Sequence, residues 1–140
     1  MKLDRLLDIP GTECLLPAPA GAEVSGAFTS DLLSDVMAHA AENSLLITIQ
    51  AHQNAIAVAT LVGIRAILAC SSRPIPADML AAARKEGLGL YCTPLNQFDA
   101  SVAVARLLAD RLATGPIIPI RARPAARRGS SPSCRPSARP

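Results

Sequence analysis

The chain has 140 residues, half of them hydrophobic, and a formal net charge of +3. This length fits one domain, and the scarcity of aromatic residues (2%) requires an aliphatic core. No apolar run reaches the roughly 18–20 residues needed to cross a bilayer, and the charged N-terminal segment does not look like a secretory signal. We therefore expect a cytoplasmic protein without a membrane segment.

The charge is divided unevenly along the chain. Residues 1–113 hold eight basic and eleven acidic residues, a net charge of −3, whereas residues 114–140 hold six arginines and no acid, a net charge of +6. The second segment also holds six of the twelve prolines. Such a composition cannot bury enough apolar surface to offset the entropy of ordering it. We predict an α/β domain over residues 1–112 and a disordered, basic tail over residues 113–140.

Hydrophobic periodicity predicts an alternation of strands and helices in the folded part. A short amphipathic helix over residues 4–9 comes first, with Leu3, Leu6 and Leu7 on one face, and Pro10 and Gly11 end it. The predicted strands span residues 14–16, 23–28, 45–50, 64–70 and 88–92.

Longer helices are predicted after the later strands. Their starts are Thr29 or Ser30, Asn54, Pro76 and Asn96, where capping residues or proline favour a first turn. Gly63 and Gly87 are typical left-handed ends of the second and third. The predicted buried stripes are Leu32, Leu33, Val36 and Met37 in the first, and Phe98, Val102, Ala105 and Leu108 in the last, which runs to about Leu112.

This order of elements indicates crossover units and a mainly parallel sheet. In such sheets ligands collect at the carboxyl ends of the strands. Polar residues follow the predicted strands, so we expect them to share that edge as a ligand site. The candidate ligand-binding residues are Thr29, Ser30, Asp31, Gln50, His52, Asn54, Ser71, Arg73 and Thr93.

Catalytic roles for these residues have less support than ligand binding. His52 can act as a base or accept a phosphoryl group because imidazole exchanges protons near neutral pH, but a histidine at a helix start more often makes a loop hydrogen bond. Asp31 and Asp35 can share a helix face and bind a cation, or favour the positive end of the helix dipole. The sequence lacks a phosphate-binding loop and the HExxH zinc motif. We predict no catalytic residue, no metal and no cofactor.

The runs GAFTSDLLSDVM (26–37), ITIQAHQNAIAVA (47–59), PADMLAAARKEG (76–87) and YCTPLNQFDASVA (91–103) together resemble a DRTGG domain. This domain is related to the N-terminal domain of HPr kinase/phosphorylase and also occurs as a small stand-alone protein. The resemblance covers roughly residues 1–112. It implies a three-layer α/β/α fold, a role in regulation or subunit association, and no chemistry, because the kinase activity of the larger relatives resides in a separate domain.

The chain departs from the motif that names this family. Ala51-His52-Gln53 stands where the pattern has Asp-Arg-Thr, and Ser71-Ser72 stands where it has a Gly-Gly pair. Gln50, His52 and Asn54 match the Gln-x-His-x-Asn version of the stand-alone form.

Three hypotheses about function follow. The first is a non-catalytic regulatory or interaction module that is a homodimer, binds a small anion or nucleotide at the polar edge, and has an unidentified protein partner. The second is a small enzyme or phospho-carrier that uses His52. The third, which we favour least, is nucleic-acid binding through the basic tail, because that tail has no aromatic residue to stack on a base.

Overall fold

The computed structural model describes residues 1–112, and the predicted tail lies outside the described residues. The five strands form one sheet in the order β1-β5-β4-β3-β2. β2 to β5 run parallel, and β1 pairs antiparallel with β5. In chain order the elements are a 3₁₀ helix (Leu3–Asp8), β1 (Glu13–Leu16), β2 (Gly26–Thr29), α1 (Leu33–His39), β3 (Ser44–Thr48), α2 (Gln53–Val62), β4 (Ala66–Ala69), α3 (Ala77–Glu86), β5 (Gly89–Cys92) and α4 (Gln97–Leu112).

Helices cover both faces of the sheet because successive strand residues point to opposite sides. Leu46 and Ile67 join the core on the side of α1, α2 and α3, whereas Leu45 and Leu68 join the core under the 3₁₀ helix and α4. All five residues of β3 are buried, as expected for a strand covered on both faces. The predicted three-layer α/β/α class with a mainly parallel sheet is confirmed.

The helix ends follow the predicted chemistry. Gly63 and Gly87 end α2 and α3 with φ of 84° and 66°, the left-handed conformation that glycine adopts without steric cost. At the start of α4, the Asn96 side chain accepts a hydrogen bond from the Asp99 N–H at 2.9 Å. Within residues 1–112, no helix is both long and apolar enough to span a membrane.

The first predicted helix is present, but one residue of its predicted apolar face is not buried. It is a 3₁₀ helix with Leu3 and Leu6 buried, whereas Leu7 is 50% exposed. A 3₁₀ helix has three residues per turn, so side chains three apart align and the next one points elsewhere. The strand predicted over residues 23–28 was also wrong at its start. β2 begins only at Gly26, because the Val24 N–H bonds to the Met1 carbonyl at 2.9 Å.

The predicted stripe of the first long helix holds for Leu33 and Val36 but not for Leu32 and Met37. α1 begins at Leu33, so Leu32 lies outside it and is 64% exposed. Val36 is buried, but Met37 is 50% exposed. A helix of seven residues has two turns and presents one narrow face to the sheet. Leu32 and Met37 are therefore left on the surface.

The predicted stripe of the last helix was displaced around the helix. Ala100, Val104 and Leu107 are buried, whereas Phe98 is 75% exposed. Both sets recur at helical spacing, so periodicity alone does not choose between them. The rotation of α4 follows from polar contacts of Gln97 and Ser101, described next.

Candidate functional site

The predicted site residues lie at one edge of the sheet. Because β2 to β5 are parallel, the loops that follow them meet at the same end, which we call the carboxyl edge. Ser30 and Asp31 follow β2, Gln50 follows β3, and Ser71 follows β4. The full predicted set at this edge is Thr29, Ser30, Asp31, Gln50, His52, Asn54, Ser71, Arg73 and Thr93.

Asp31 is the centre of a hydrogen-bond network that ties three elements together. One carboxylate oxygen, Oδ1, accepts from the Thr48 hydroxyl, the Ile49 N–H and the Gln97 side-chain amide, each at 2.9 Å. These donors come from the end of β3, the loop after it, and the start of α4. Charge-assisted hydrogen bonds of this kind are stronger than neutral ones. Asp31 therefore holds the carboxyl edge together, and it is not paired with Asp35, which instead contacts His39 Nδ1 at 2.8 Å.

Gln50, Thr29 and Ser30 are also engaged within the protein. The Gln50 side-chain amide donates to the Asp31 backbone carbonyl at 2.9 Å, and the Gln50 N–H donates to the Thr48 hydroxyl at 3.1 Å. The hydroxyls of Thr29 and Ser101 lie 2.8 Å apart. Ser30 accepts from the Leu32 N–H at 3.2 Å. The β2–β3 half of the carboxyl edge is therefore mainly a structural network.

His52, and not Asn54 as predicted, is the cap of α2. Its backbone is extended, and its Nδ1 accepts from the Asn54 N–H at 3.1 Å. The cap position falls here because the helix begins at Gln53, whereas a cap at Asn54 requires a helix that begins at Ala55. This is the hydrogen bond that the His52 ring forms in the described residues. No carboxylate among those residues contacts the ring. A general base or phospho-acceptor usually needs such a partner.

The loops after β4 and β5 are joined through two strained residues. Ser71 and Ser72 have φ of 61° and 49°, the left-handed region that non-glycine residues rarely adopt. Their N–H groups donate to the carbonyls of Leu95 and Thr93 at 2.8 and 3.0 Å. In the resemblance to the DRTGG pattern, these two serines stand where that pattern has a Gly-Gly pair. The backbone conformation gives that pair a physical reason, since glycine adopts it without strain.

A cavity of about 240 Å³ opens at this half of the carboxyl edge. Arg73 is exposed there, and the Thr93 hydroxyl, which is buried, accepts from the Leu95 N–H at 3.4 Å. The lining residues are Gly11, Glu13, Ser72, Arg73, Cys92, Thr93 and Pro94. The cavity thus presents one guanidinium, one carboxylate and hydroxyl groups, a set suited to binding a small polar group.

The cysteines at this edge are not activated nucleophiles. Burial, and then the charge of Asp31, raise the pKa of the Cys70 thiol to about 11. Burial and the charge of Glu13 also raise the pKa of Cys92. Cys70 is buried, whereas Cys92 is only half-buried. Because the thiolate is the reactive form, both thiols stay protonated and unreactive at neutral pH.

The sequence interpretation missed Thr48, Gln97 and Ser101. Thr48 is a lone hydroxyl at the end of an apolar strand and is fully buried. A buried polar residue needs a partner, so its position just before the polar loop was a usable signal. Gln97 and Ser101 lie four residues apart, one turn of a helix, and nothing local distinguishes them from solvated residues.

The chain is similar in fold to a protein of known structure. No family model matches the chain, and no curated protein sequence matches it. A solved structure of the CBS and DRTGG domains of the regulatory region of Clostridium perfringens pyrophosphatase, complexed with its activator diadenosine tetraphosphate, has a TM-score of 0.58 and 13% identity. The match covers 74% of this chain and 45% of that one, so this chain spans less than half of the neighbour's length. The chain therefore shares an α/β fold with part of a region that contains a DRTGG domain.

Proposed function

We propose that the chain is a non-catalytic regulatory module of DRTGG type, which binds a small anion or the phosphate end of a nucleotide at the carboxyl edge. The observation that carries this proposal is the exposed Arg73 beside a cavity lined by Ser72 and Thr93. Its guanidinium offers several donors in a fixed geometry that matches phosphate or carboxylate. The activator bound by the pyrophosphatase regulatory region supports a nucleotide as the class of ligand to test.

The size and the charge of the cavity narrow this ligand. Its volume of about 240 Å³ lies below the roughly 300–1,000 Å³ of typical small-molecule sites. A phosphoryl group fits within it, while the rest of a nucleotide would lie along the exposed loops. Glu13 in the wall disfavours several negative charges close together. We therefore expect a monophosphate to bind better than a triphosphate.

Replacing Arg73 by glutamine should weaken the binding of inorganic phosphate or AMP by at least about tenfold, which is about 1.4 kcal/mol. A hydrogen bond to a charged group typically contributes that much or more. Isothermal titration of the full chain measures it. Arg84→Gln is the matched control, because Arg84 is exposed on α3 and outside this cavity. Unchanged affinity in Arg73→Gln, or in a triple variant with His52→Ala and Asn54→Ala, contradicts the proposed site.

The second function considered, a phospho-carrier using His52, has less support. The contact between Nδ1 and the Asn54 N–H accounts for a histidine at this position as a helix cap. We therefore expect no acid-labile phosphate on His52 after incubation with phosphoryl donors. The third hypothesis concerns the basic tail, which lies outside the described residues.

We further propose that the module is a homodimer that pairs near β2, the outer strand on one side of the sheet. Leu32 and Phe98 are 64% and 75% exposed. They are chain neighbours of Asp31 and Gln97, whose side chains are hydrogen-bonded, so both lie at the same corner of the molecule. Exposed apolar side chains beside an open strand edge favour association.

The double variant Leu32→Ser and Phe98→Ser should shift the protein from dimer to monomer in sedimentation velocity. Each substitution removes an apolar side chain from the proposed interface, where burial of one such side chain contributes about 1.5–3 kcal/mol. Leu61→Ser is the control, because Leu61 is also 75% exposed but lies on α2. A wild-type chain that sediments as a monomer at every concentration overturns the dimer.

A further inference from the structure

A second cavity lies at the opposite end of the sheet from Arg73. Its volume is about 440 Å³, within the range of small-molecule sites. Residues that immediately precede β3, β4 and β5 form its floor: Asn43, Ile64, Arg65 and Leu88. One wall is the loop from Pro19 to Glu23, and the other is formed by the C-terminal ends of α2 and α3.

Arg65 is held in this cavity by a rigid anchor. Its Nε donates to the Asn43 side-chain oxygen at 2.7 Å. Asn43 is itself fixed, because its N–H donates to the Gly63 carbonyl and its carbonyl accepts from the Ser25 N–H, both at 2.9 Å. Asn43 also has a left-handed φ of 56°, a conformation that asparagine tolerates better than most residues. The terminal nitrogens of Arg65, which has no carboxylate partner in the described residues, remain for a ligand.

The rest of the cavity has the opposite charge. Glu86 lies in its wall, and α2 and α3 both end there, so their dipoles add partial negative charge. This field disfavours a phosphate with several negative charges. It suits a ligand that carries one carboxylate for Arg65 and one ammonium for the acidic wall. Pro19, Ala20 and Ala22 in the loop wall supply apolar surface for an aliphatic group.

We propose that this cavity, at the amino ends of the parallel strands, is a second ligand site that is independent of the carboxyl edge. It binds a small zwitterion with an aliphatic side chain, such as an apolar amino acid. Arg65 binds the carboxylate, Asn43 positions Arg65, and the wall that contains Glu86 binds the ammonium group. The two sites would let the module respond to an anion and to an amino acid separately.

Titration of the full chain with L-leucine tests this site. We expect saturable binding at least about tenfold tighter than for 4-methylpentanoate, which lacks the ammonium, or 3-methylbutylamine, which lacks the carboxylate, because each loses one charge-assisted contact. Equal affinity for the three compounds, or no binding of L-leucine, overturns the proposal.

Amino-acid substitutions test which residues bind L-leucine. Arg65→Gln should weaken L-leucine binding by at least about tenfold, whereas Arg84→Gln and Arg73→Gln should leave it unchanged, since neither residue lines this cavity. If Arg65→Gln lowers the melting temperature, Asn43→Gly serves instead, because glycine keeps the left-handed backbone while removing the anchor of Arg65. If both variants bind L-leucine with the wild-type affinity, the ligand binds elsewhere, and the proposal is overturned.

Discussion

Replacing Asp31 with alanine should lower the free energy of unfolding by about 3 kcal/mol, since buried donors left without a partner cost about 1–3 kcal/mol each. The substitution removes the acceptor shared by the Thr48 hydroxyl, the Ile49 N–H and the Gln97 amide. Thr48 is fully buried and has no direct access to water in place of the carboxylate. The start of α4 also loses its polar connection to the sheet.

Urea denaturation of the full chain measures this loss. Asp31→Asn keeps an oxygen acceptor but not its charge, so a smaller loss of about 1 kcal/mol is expected. Asp35→Ala is the matched control, because its contact with His39 is exposed and such pairs contribute under about 1 kcal/mol. Equal stabilities of Asp31→Ala and Asp35→Ala would show that the network around Asp31 contributes little.

The order of elements and the polar edge were predictable because their signals are local. The apolar run that becomes β3 and the glycines at the ends of α2 and α3 each act through neighbouring residues. Parallel pairing then follows from the lengths of the crossovers. Once the strands are parallel, the residues after them must meet at one edge. Asp31, Gln50 and Arg73 were therefore placed correctly without knowledge of any contact between them.

The roles of these residues depended on contacts that sequence spacing does not encode. Asp31 and Gln97 lie 66 positions apart, and their hydrogen bond orients α4. With Gln97 and Ser101 directed at the sheet, Phe98 turns outward and the smaller Ala100 takes the buried position. Phe98, the largest apolar side chain of the helix, therefore does not mark its buried face. Likewise, Thr29, Asp31 and Gln50, which are candidates for ligand binding, form hydrogen bonds with other residues of the protein.

Replacing both Ser71 and Ser72 with glycine should raise the free energy of unfolding by about 1 kcal/mol. The left-handed conformation costs an ordinary residue about 1–2 kcal/mol, and both serines adopt it. Glycine removes that strain, but it also increases the entropy of the unfolded chain by about 0.4–1 kcal/mol per residue, which offsets part of the gain. Replacing both with valine should have the opposite effect, a loss of about 2 kcal/mol, because β-branched residues tolerate positive φ least.

Thermal unfolding of the three chains separates this backbone effect from a general effect of serine replacement. A change of 1 kcal/mol corresponds to a shift of about 4 °C for a domain of this size, so the glycine and valine variants should differ by more than 10 °C, a separation of about 3 kcal/mol. Ser34→Gly is the control: Ser34 is exposed within α1, where glycine costs about 0.5–1 kcal/mol. The same substitution should therefore stabilise the loop after β4 and destabilise the helix. If glycine lowers the stability at both places, Ser71 and Ser72 are not strained. Backbone strain would then not explain, for this chain, the Gly-Gly pair of the DRTGG pattern.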